Sequence, residues 1–402
     1  MSDAPTPTPA DDAGQTFLIG PDLYLRAPRA EDAARSAAAR PSPFPISAQR
    51  FEEDLKKEVT KDWEKNILRL VACRRSDGEI VGSTALDLNE DWPSALFRIH
   101  AAPWLDPGAQ DRVKADVLRL AVPWLIDERG TISAAVDLDG GQPASLAAAA
   151  EVGMHEAYRF RGGFWRDGAQ HDWTCWQRLN PNWVAKLGDP GPGILLAGDP
   201  VSDPKSPAPR RWPESAFPLP PNALIASERL ALRPFEVDDA RAVADTFRRE
   251  PESAFGHHRS PTSPLLLADW WGSMGEHDPP KELDLAIVLR ETGAVIGEVG
   301  LYYLDWIGRT AETGIWIHRP EHRGGGLGTE AKHLLLEYAF DRLNLRLLWS
   351  WVHTENPRSA AAVRKQGYRD AGRYDWVGLG PNGFRSALLF DLLADEWRAA
   401  RR

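Results

Sequence analysis

The chain has few cysteines and lacks long apolar runs and a secretory signal, features that would assign it to a particular class of protein. It has two cysteines, Cys73 and Cys175, in 402 residues, which excludes a disulfide framework and favours a reducing cytoplasm. No run approaches the roughly 18 consecutive apolar residues of a membrane helix. Residues 1–15 lack the basic and apolar segments of a secretory signal. We therefore expect a cytoplasmic protein with no membrane partner and a short disordered tail at residues 1–15.

The chain also lacks an excess of positive charge, because its 58 acidic residues outnumber its 48 lysines and arginines. The formal net charge is -10, whereas a nucleic-acid binder needs a basic face that neutralises phosphates. We therefore expect no nucleic-acid partner. An amine-bearing small molecule or peptide, which is a cation at neutral pH, suits an acidic protein better. The sequence leaves the oligomeric state open.

The two halves of the chain carry the same landmarks in the same order, at an offset that drifts by a few residues as loop insertions would cause. This repeat predicts two copies of one domain, at residues 16–184 and 223–402. Residues 185–222 are rich in proline and glycine and form the predicted linker, because proline cannot continue a helix or a central strand. The matched landmarks are Leu23–Arg26 with Leu230–Arg233, Gly82 with Gly297, Gly153 with Gly367, and Trp183 with Trp397.

The second copy has the pattern of a mixed α/β domain. Residues 283–289 and 295–303 alternate around a Thr-Gly turn and predict a β-hairpin. A third strand is predicted at 312–318 and a fourth at 345–352, with an amphipathic helix between them and another helix at 357–366. We expect an α/β (α+β) fold in each copy, with a mixed, mostly antiparallel sheet flanked by helices.

A glycine-rich segment, Arg323–Thr329, stands between the third strand and the amphipathic helix. Glycines let a backbone approach a phosphate closely, and the N–H groups of a first helical turn point at it with the positive end of the helix dipole. The segment matches neither the dinucleotide fingerprint nor the P-loop, which needs Gly-Lys-Ser/Thr. Its residue pattern therefore predicts an anion site of another kind.

The Arg-x-x-Gly-x-Gly pattern after a strand resembles the coenzyme-A pyrophosphate loop of the GNAT N-acetyltransferases. Residues 311–317 resemble that family's fourth strand, and residues 356–368 resemble its second coenzyme-contacting segment. Residues 391–397 resemble the branch that acetylates ribosomal-protein N-termini. The resemblance implies an N-acetyltransferase with acetyl-CoA as co-substrate. Its acceptor would be a primary amine on a small metabolite, an antibiotic or a protein N-terminus.

The resemblance also implies roles for individual residues. Glu312 stands at the position of the catalytic glutamate and would be the general base. Val363 occupies the position where many relatives have a proton-donating tyrosine, so Ser359, Tyr368 or water remains as proton source, with Ser359 favoured. The residues implied in coenzyme binding are Trp316, Ile317, His318, Arg323, Gly324, Gly325, Gly326, Leu327, Gly328, Thr329 and Asn356.

The first copy departs from this pattern at the residues that matter most. Leu96 stands where the second copy has Glu312, and Gln110 and Arg112 replace two glycines of the loop. Longer side chains there would obstruct the approach of a pyrophosphate, and Pro123 should kink the following helix. We expect a degenerate copy that binds no coenzyme.

Two further expectations concern the acceptor and metals. Acceptor contacts are expected from residues 251–271 and from the hairpin near Trp306. His257 and His258 are adjacent and so point apart, without the spacing of a metal site, and we expect no metal. A non-catalytic acyl-CoA sensor or interaction protein is the alternative to an enzyme.

Overall fold

The structure is a computed structural model that describes residues 16–401, except 41, 43, 89–93, 192–211, 250–262, 274–277 and 381–382. The predicted tail, the middle of the predicted linker, and His257 with His258 lie outside these residues. Within the described part of the chain, no helix is both long enough and apolar enough to cross a membrane.

The first half contains eight strands and five helices among the described residues. The strands are β1 Thr16–Ile19, β2 Leu23–Arg26, β3 Ile67–Arg74, β4 Ile80–Asp87, β5 Ser94–Ala101, β6 Ser133–Asp139, β7 His155–Arg166 and β8 Ala169–Leu179. The helices are α1 Ser36–Ala39, α2 Ala48–Glu64, α3 Pro107–Pro123, α4 Pro143–Glu151 and α5 Pro181–Leu187.

The second half repeats this order of elements. Its strands are β9 Ile225–Ala226, β10 Leu230–Pro234, β11 Leu283–Leu289, β12 Val295–Asp305, β13 Thr310–Ile317, β14 Leu347–His353, β15 Arg369–Gly380 and β16 Gly383–Leu393. Its helices are α6 Asp239–Arg249, α7 Pro264–Ser273, α8 Leu327–Glu337, α9 Pro357–Lys365 and α10 Ala394–Ala400.

The strands of both halves form one continuous sheet. Its order is β1-β2-β3-β4-β5-β6-β8-β7-β15-β16-β14-β13-β12-β11-β10-β9, so the second half mirrors the first about the centre. The pairs β5–β6 and β13–β14 are parallel, while the other pairs in the described residues are antiparallel. The predicted α/β fold class, with mixed and mostly antiparallel strands flanked by helices in each half, is confirmed, and the two predicted sheets are joined into one.

The repeat extends to side-chain contacts. Arg26 at the end of β2 pairs with Asp32 at 2.7 Å, and Arg233 near the end of β10 pairs with Asp239 at the same distance. All four side chains are largely buried. A charged pair of this kind holds its geometry only when both partners are present, so each copy fixes the chain after its second strand in the same way.

The two copies join through the central strands β7 and β15. Gly372 lies opposite Tyr158 with φ at +140°, and a Cβ there would lie 2.3 Å from the carbonyl oxygen of Ala157. Beside this contact, the fully buried Asp391 accepts hydrogen bonds from Arg161 and Arg369, each at 2.8 Å. The junction is therefore built from specific contacts between the copies.

Each copy has its own apolar core, and in both the long helix over the sheet ends in a π-helical turn. These turns are Trp124–Glu128 after α3 and Tyr338–Arg342 after α8. The second turn contains no proline, so the π-helical turn does not depend on Pro123, which is the last residue of α3. The predicted kink at Pro123 stays a prediction.

Candidate active site

A wedge-shaped gap opens between β13 and β14. The two strands pair over three positions, from Thr310 opposite Leu347 to Glu312 opposite Trp349. Beyond Glu312, β13 continues with pairs only to β12, and β14 with pairs only to β16, in the described residues. Glu312 therefore stands at the apex of the gap, and the later backbone groups of β13 lie along one wall.

The direction of the β13 backbone decides which amides face this gap. The N–H of His318 donates to the carbonyl oxygen of Ile296 at 3.0 Å, on the β12 side. Because N–H groups alternate along a strand, Trp316 points the same way, while Ile315 and Ile317 face the gap. The expectation that the amides of Trp316 and His318 would line the coenzyme arm therefore needs correction, and Ile317 keeps that role as a prediction.

The glycine-rich segment leads from β13 into α8. Gly324 and Gly326 have φ of +90° and +79°, a conformation that favours glycine, and Gly326 is the N-cap of α8 without a side-chain cap. Gly325 has no positive φ, and a Cβ there would meet no atom within 4 Å. Neither conformation nor packing requires glycine at Gly325, and the open space beside it leaves room for an external ligand.

Two arginines hold this loop in place. The guanidinium of Arg323 donates to the carbonyl oxygens of Ile317 and His318 at 2.8 and 2.9 Å. The backbone N–H of Arg323 donates to the carbonyl oxygen of Pro320. Arg229 donates to the carbonyl oxygen of Gly325 at 3.1 Å. The Arg323 amide is therefore occupied, and the predicted phosphate contact of its backbone is corrected to a positioning role for its side chain.

The start of α9 forms the opposite side of the same edge, because parallel strands β13 and β14 end at the same edge of the sheet. Asn356 caps this helix, and its Oδ1 accepts the N–H of Ser359 at 3.1 Å. Ser359 is half-buried. The predicted coenzyme contact of Asn356 and the proton-donor role of Ser359 stay predictions, now with both residues placed beside the gap.

Glu312 is held in an environment that suits a base. Burial raises the pKa of its carboxyl to about 7, against the lowering effects of a hydrogen bond from Trp351 and of the Lys332 charge. The indole Nε1 of Trp351, from β14, donates to Oε1 of Glu312 at 2.9 Å. Trp351 was not predicted from the sequence, because its contact depends on the register of two strands far apart in the chain.

A second buried polar group lies near the apex. Lys332 on α8 is 1% exposed, and burial lowers the pKa of its ammonium to about 7, opposed by the charge of Glu312. Its Nζ lies 5.9 Å from the ring centre of Tyr368, whose hydroxyl lies 2.8 Å from that of Thr313. Burial also raises the pKa of Tyr368, so this phenol keeps its proton.

The first copy closes the corresponding region with its own side chains. Helix α3 begins at Pro107 without a glycine loop, and Asp106 caps it by accepting the N–H of Ala109 at 2.9 Å. Asp111 accepts the N–H groups of Ala144 and Ser145 at the start of α4, each at 2.8 Å. Both helix starts that could receive an anion are thus occupied by carboxylates.

This finding corrects the reason given from the sequence for the failure of the first copy. Gln110 and Arg112 lie inside α3 and do not replace loop glycines. The side-chain amide of Gln110 donates to the carbonyl oxygen of Leu105 at 2.8 Å. The prediction that the first copy binds no coenzyme therefore rests on its earlier helix start and on the carboxylates of Asp106 and Asp111.

The first copy also contacts the active region of the second. Phe160 on β7 stacks on Trp349, the partner of Glu312, with ring centres 5.4 Å apart.

Trp306 of the β12–β13 turn donates to the carbonyl oxygen of Pro280 at 2.8 Å. Among the described residues, no group of three or more His, Cys, Asp or Glu is arranged to hold a metal.

Comparison with known proteins agrees with this geometry. Residues 229–369 match the acetyltransferase (GNAT) domain. YdaF of Bacillus subtilis (strain 168), whose name marks it as a proposed ribosomal N-acetyltransferase, is 33% identical over 189 residues, which cover 44% of this chain and 97% of YdaF. The chain belongs to the GNAT acetyltransferase family. This GNAT enzyme is an acyltransferase that uses acetyl-CoA as co-substrate, and the alternative of a non-catalytic sensor is set aside.

Other relatives have the same kind of activity in their names. Spermidine N(1)-acetyltransferase of Escherichia coli (strain K12) is 31% identical over 156 residues, covering 37% of this chain and 76% of that enzyme. A solved structure of spermidine N-acetyltransferase from Vibrio cholerae in complex with CoA and spermine is 23% identical, with a TM-score of 0.37, and covers 43% of this chain and 99% of that one.

Proposed function

We propose that the second copy, at residues 223–402, transfers an acetyl group from acetyl-CoA to a primary amine by direct attack, with Glu312 as general base. The observation that carries this proposal is the position of the Glu312 carboxylate at the apex of the gap between β13 and β14. The uncapped start of α8 lies at the open end of the same gap. One site therefore offers a base and an anion cradle at the two ends of one strand.

The base must take a proton from an alkyl ammonium with a pKa near ~10 before the nitrogen can attack. With a pKa of about 7, the Glu312 carboxyl is ionised above neutral pH and is a stronger base than an exposed glutamate. The Trp351 indole fixes its orientation at the apex. An N–H of β13 that faces the gap, such as that of Ile315, would stabilise the oxyanion.

The leaving thiolate needs a proton from another group. Ser359 remains the proposed donor because it lies in the first turn of α9, at the edge where the gap opens. Tyr368, the other side chain considered, is fully buried and its hydroxyl is hydrogen bonded to that of Thr313, so it is the weaker choice.

The coenzyme would be held mainly by backbone. The N–H groups of the first turn of α8 have no intrahelical partners, and a pyrophosphate placed there would receive them together with the helix dipole. The cap Gly326 leaves this space open where the first copy has Asp106. The proposed contacts are Ile317, Gly324, Gly325, Gly326, Leu327, Gly328, Thr329 and Asn356.

The acceptor class is a primary amine on a small molecule, an antibiotic or a protein N-terminus. The names of the relatives include a spermidine N(1)-acetyltransferase and a proposed ribosomal N-acetyltransferase, and both names describe transfer to nitrogen. The test is acetyl-CoA consumption by the intact chain with a panel of polyamines, aminoglycosides and N-terminal peptides. Turnover with at least one amine, lost in Glu312→Gln, is expected. Equal turnover by wild type and Glu312→Gln across the pH range would overturn the assignment of the base.

A further inference from the structure

Beside Glu312, two more carboxylates lie on the same face of the sheet. Along β12, Tyr302 pairs with Glu312 on β13, and Glu298 pairs with Trp316. On the other side of β12, Asp284 of β11 lies opposite Gly300. Because side chains alternate between the faces, residues 298, 300 and 302 and their direct partners share one face.

Asp284 has an unusual environment for a carboxylate. It is 4% exposed, and its Oδ1 accepts a hydrogen bond from the hydroxyl of Tyr302. Its Oδ2 is buried and has no hydrogen-bond partner among the residues that the structure describes. A buried carboxylate oxygen without a donor is costly and rare in native proteins, so this atom calls for a donor that comes from outside the chain.

The backbone beneath this group is shaped to keep it there. A Cβ at Gly300 would lie 2.3 Å from Oδ1 of Asp284, and a Cβ at Gly314 would lie 2.8 Å from the Tyr302 ring. Neither glycine has a positive φ, so conformation does not require them. They are required because the Tyr302 ring lies against both glycines where its hydroxyl reaches Asp284. The sheet is therefore shaped to hold Tyr302 against Asp284.

The charge around Asp284 favours a cation. Burial first, and then the charges of Glu298 and Glu282, raise the pKa of Asp284 to about 7, against the hydrogen bond from Tyr302. Glu298 has the ring Nε2 of His318 at 3.7 Å. Glu312 is the third carboxylate of this face, and its charge contributes to raising the pKa of Tyr302. An ammonium group placed between Asp284 and Glu298 would supply both a donor and a compensating charge.

We propose that Asp284, with Glu298, binds a second cationic group of the acceptor, so that the substrate is a molecule with two separated amino groups. One amine faces Glu312 and is acetylated, while the other donates to Oδ2 of Asp284. The strands of Glu312 and Asp284 are separated by β12, about 10 Å apart, which suits a flexible chain of several carbons between the two nitrogens. This inference rests on the proposed function, and it narrows the acceptor from amines in general to diamines and polyamines.

The experiment compares linear α,ω-diamines of three to eight carbons with monoamines of equal length, using wild type, Asp284→Asn and a control. Glu291→Gln is the control, because it removes one negative charge from the exposed turn of the same hairpin. Asn keeps the shape of Asp284 and an oxygen for Tyr302, but it cannot pair with an ammonium. Wild type should prefer one diamine length over its monoamine by about 10- to 100-fold in kcat/KM.

In Asp284→Asn this preference should disappear, mainly through KM for the diamine, with kcat/KM for the monoamine within about three-fold of wild type. Glu291→Gln should keep the preference. A wild type that does not distinguish diamine from monoamine, or an Asp284→Asn variant that loses both equally, overturns the proposal. If Asp284→Asn fails to fold, Glu298→Gln replaces it with the same expectation.

A binding measurement distinguishes failure of this proposal from failure of the proposed function. Calorimetric titration with the preferred diamine, in the absence of acetyl-CoA, reports the cation site even if no amine is acetylated. Weaker diamine binding in Asp284→Asn than in wild type, with Glu291→Gln unchanged, supports the site independently of catalysis. Equal binding by all three proteins contradicts it.

Discussion

The starts of helices α3 and α8 occupy equivalent places in the two copies, yet they treat an incoming anion in opposite ways. In the first copy Asp106 caps α3 and Asp111 takes two amides of α4, so carboxylates of the chain itself occupy both helix starts. In the second copy Gly326 caps α8 without a side-chain hydrogen bond in the described part of the chain. The same fold thus either supplies its own anion or leaves the position for a coenzyme phosphate.

A parallel difference separates the two strands that lead to these helices. Each of these strands begins at a residue that pairs with the neighbouring parallel strand, Ser94 on β5 and Thr310 on β13. Two residues further along, the first copy has Leu96 and the second copy has Glu312. Only the second copy has a carboxylate there. The first copy keeps the core, the sheet and the junction of β7 with β15, which are the features that packing requires. It lacks the carboxylate and the glycine-rich loop to which we assign the chemistry of the second copy.

The largest expected effect comes from removing the base that distinguishes the copies. Glu312→Gln keeps the shape of the side chain but cannot accept a proton, so turnover at saturating amine should fall by ~10²–10⁴. Acetyl-CoA affinity should change little, because the carboxylate lies at the apex and not at the phosphate end of the gap. Steady-state kinetics and a coenzyme titration check the two halves of this prediction, and wild-type turnover in the variant would contradict it.

The second expected effect concerns the loop. Gly325→Gln places a side chain where a Cβ meets no protein atom within 4 Å, so the fold should tolerate it. If the pyrophosphate lies there, acetyl-CoA affinity should fall by about 100-fold as amide contacts are lost. Gly378→Gln, also without a positive φ and in open space on β15, is the matched control. Unchanged affinity in a folded Gly325→Gln variant would place the coenzyme elsewhere.

The third effect tests the first copy as a structural element. Asp111→Ala leaves the amides of Ala144 and Ser145 without their buried acceptor and should lower the free energy of unfolding by about 2–3 kcal/mol. Denaturant titration measures this loss, with Asp395→Ala, whose carboxylate is fully exposed, as control. Turnover at temperatures where the variant is folded should stay near wild type. A loss of acetyl-CoA binding in this folded variant would show that the first copy takes part in coenzyme binding.

The smallest effect is a shift in pH dependence. Because the pKa of Glu312 is about 7, kcat/KM should rise as pH increases through about 7, where the carboxyl becomes ionised. Trp351→Phe removes a hydrogen bond that favours the ionised form, so the rise should move to higher pH by about one unit. Trp165→Phe, at an exposed site of the first copy, should leave the profile unchanged. A shift to lower pH would contradict the role of Trp351.

The sequence predicted the parts of this molecule that depend on local pattern. The alternating residues of β11 and β12, the glycines before α8 and the position of Glu312 on β13 can all be recognised within a few residues of chain. These features are local because a turn or a helix start is determined by neighbouring residues. The joining of the two halves into one mirrored sheet was not predicted, because it depends on the pairing of β7 with β15.

The contacts that complete the site depend on pairings distant in sequence. The hydrogen bond from Trp351 to Glu312 requires the register of β13 against β14, and the burial of Lys332 requires the packing of α8 on the sheet. Asp111 could be recognised as a capping carboxylate only once α4 was placed beside α3. Strand register and helix packing are tertiary properties, so no spacing along the chain indicates them.

The most direct test of the difference between the copies is the number of coenzyme molecules that one intact chain binds. Calorimetric titration of the 402-residue protein with acetyl-CoA should reach saturation at one equivalent, because Gly326 leaves the start of α8 without a side-chain cap, whereas Asp106 caps its counterpart α3. Saturation at two equivalents of similar affinity would show that the first copy is a working site, and would contradict the account that Asp106 and Asp111 close it.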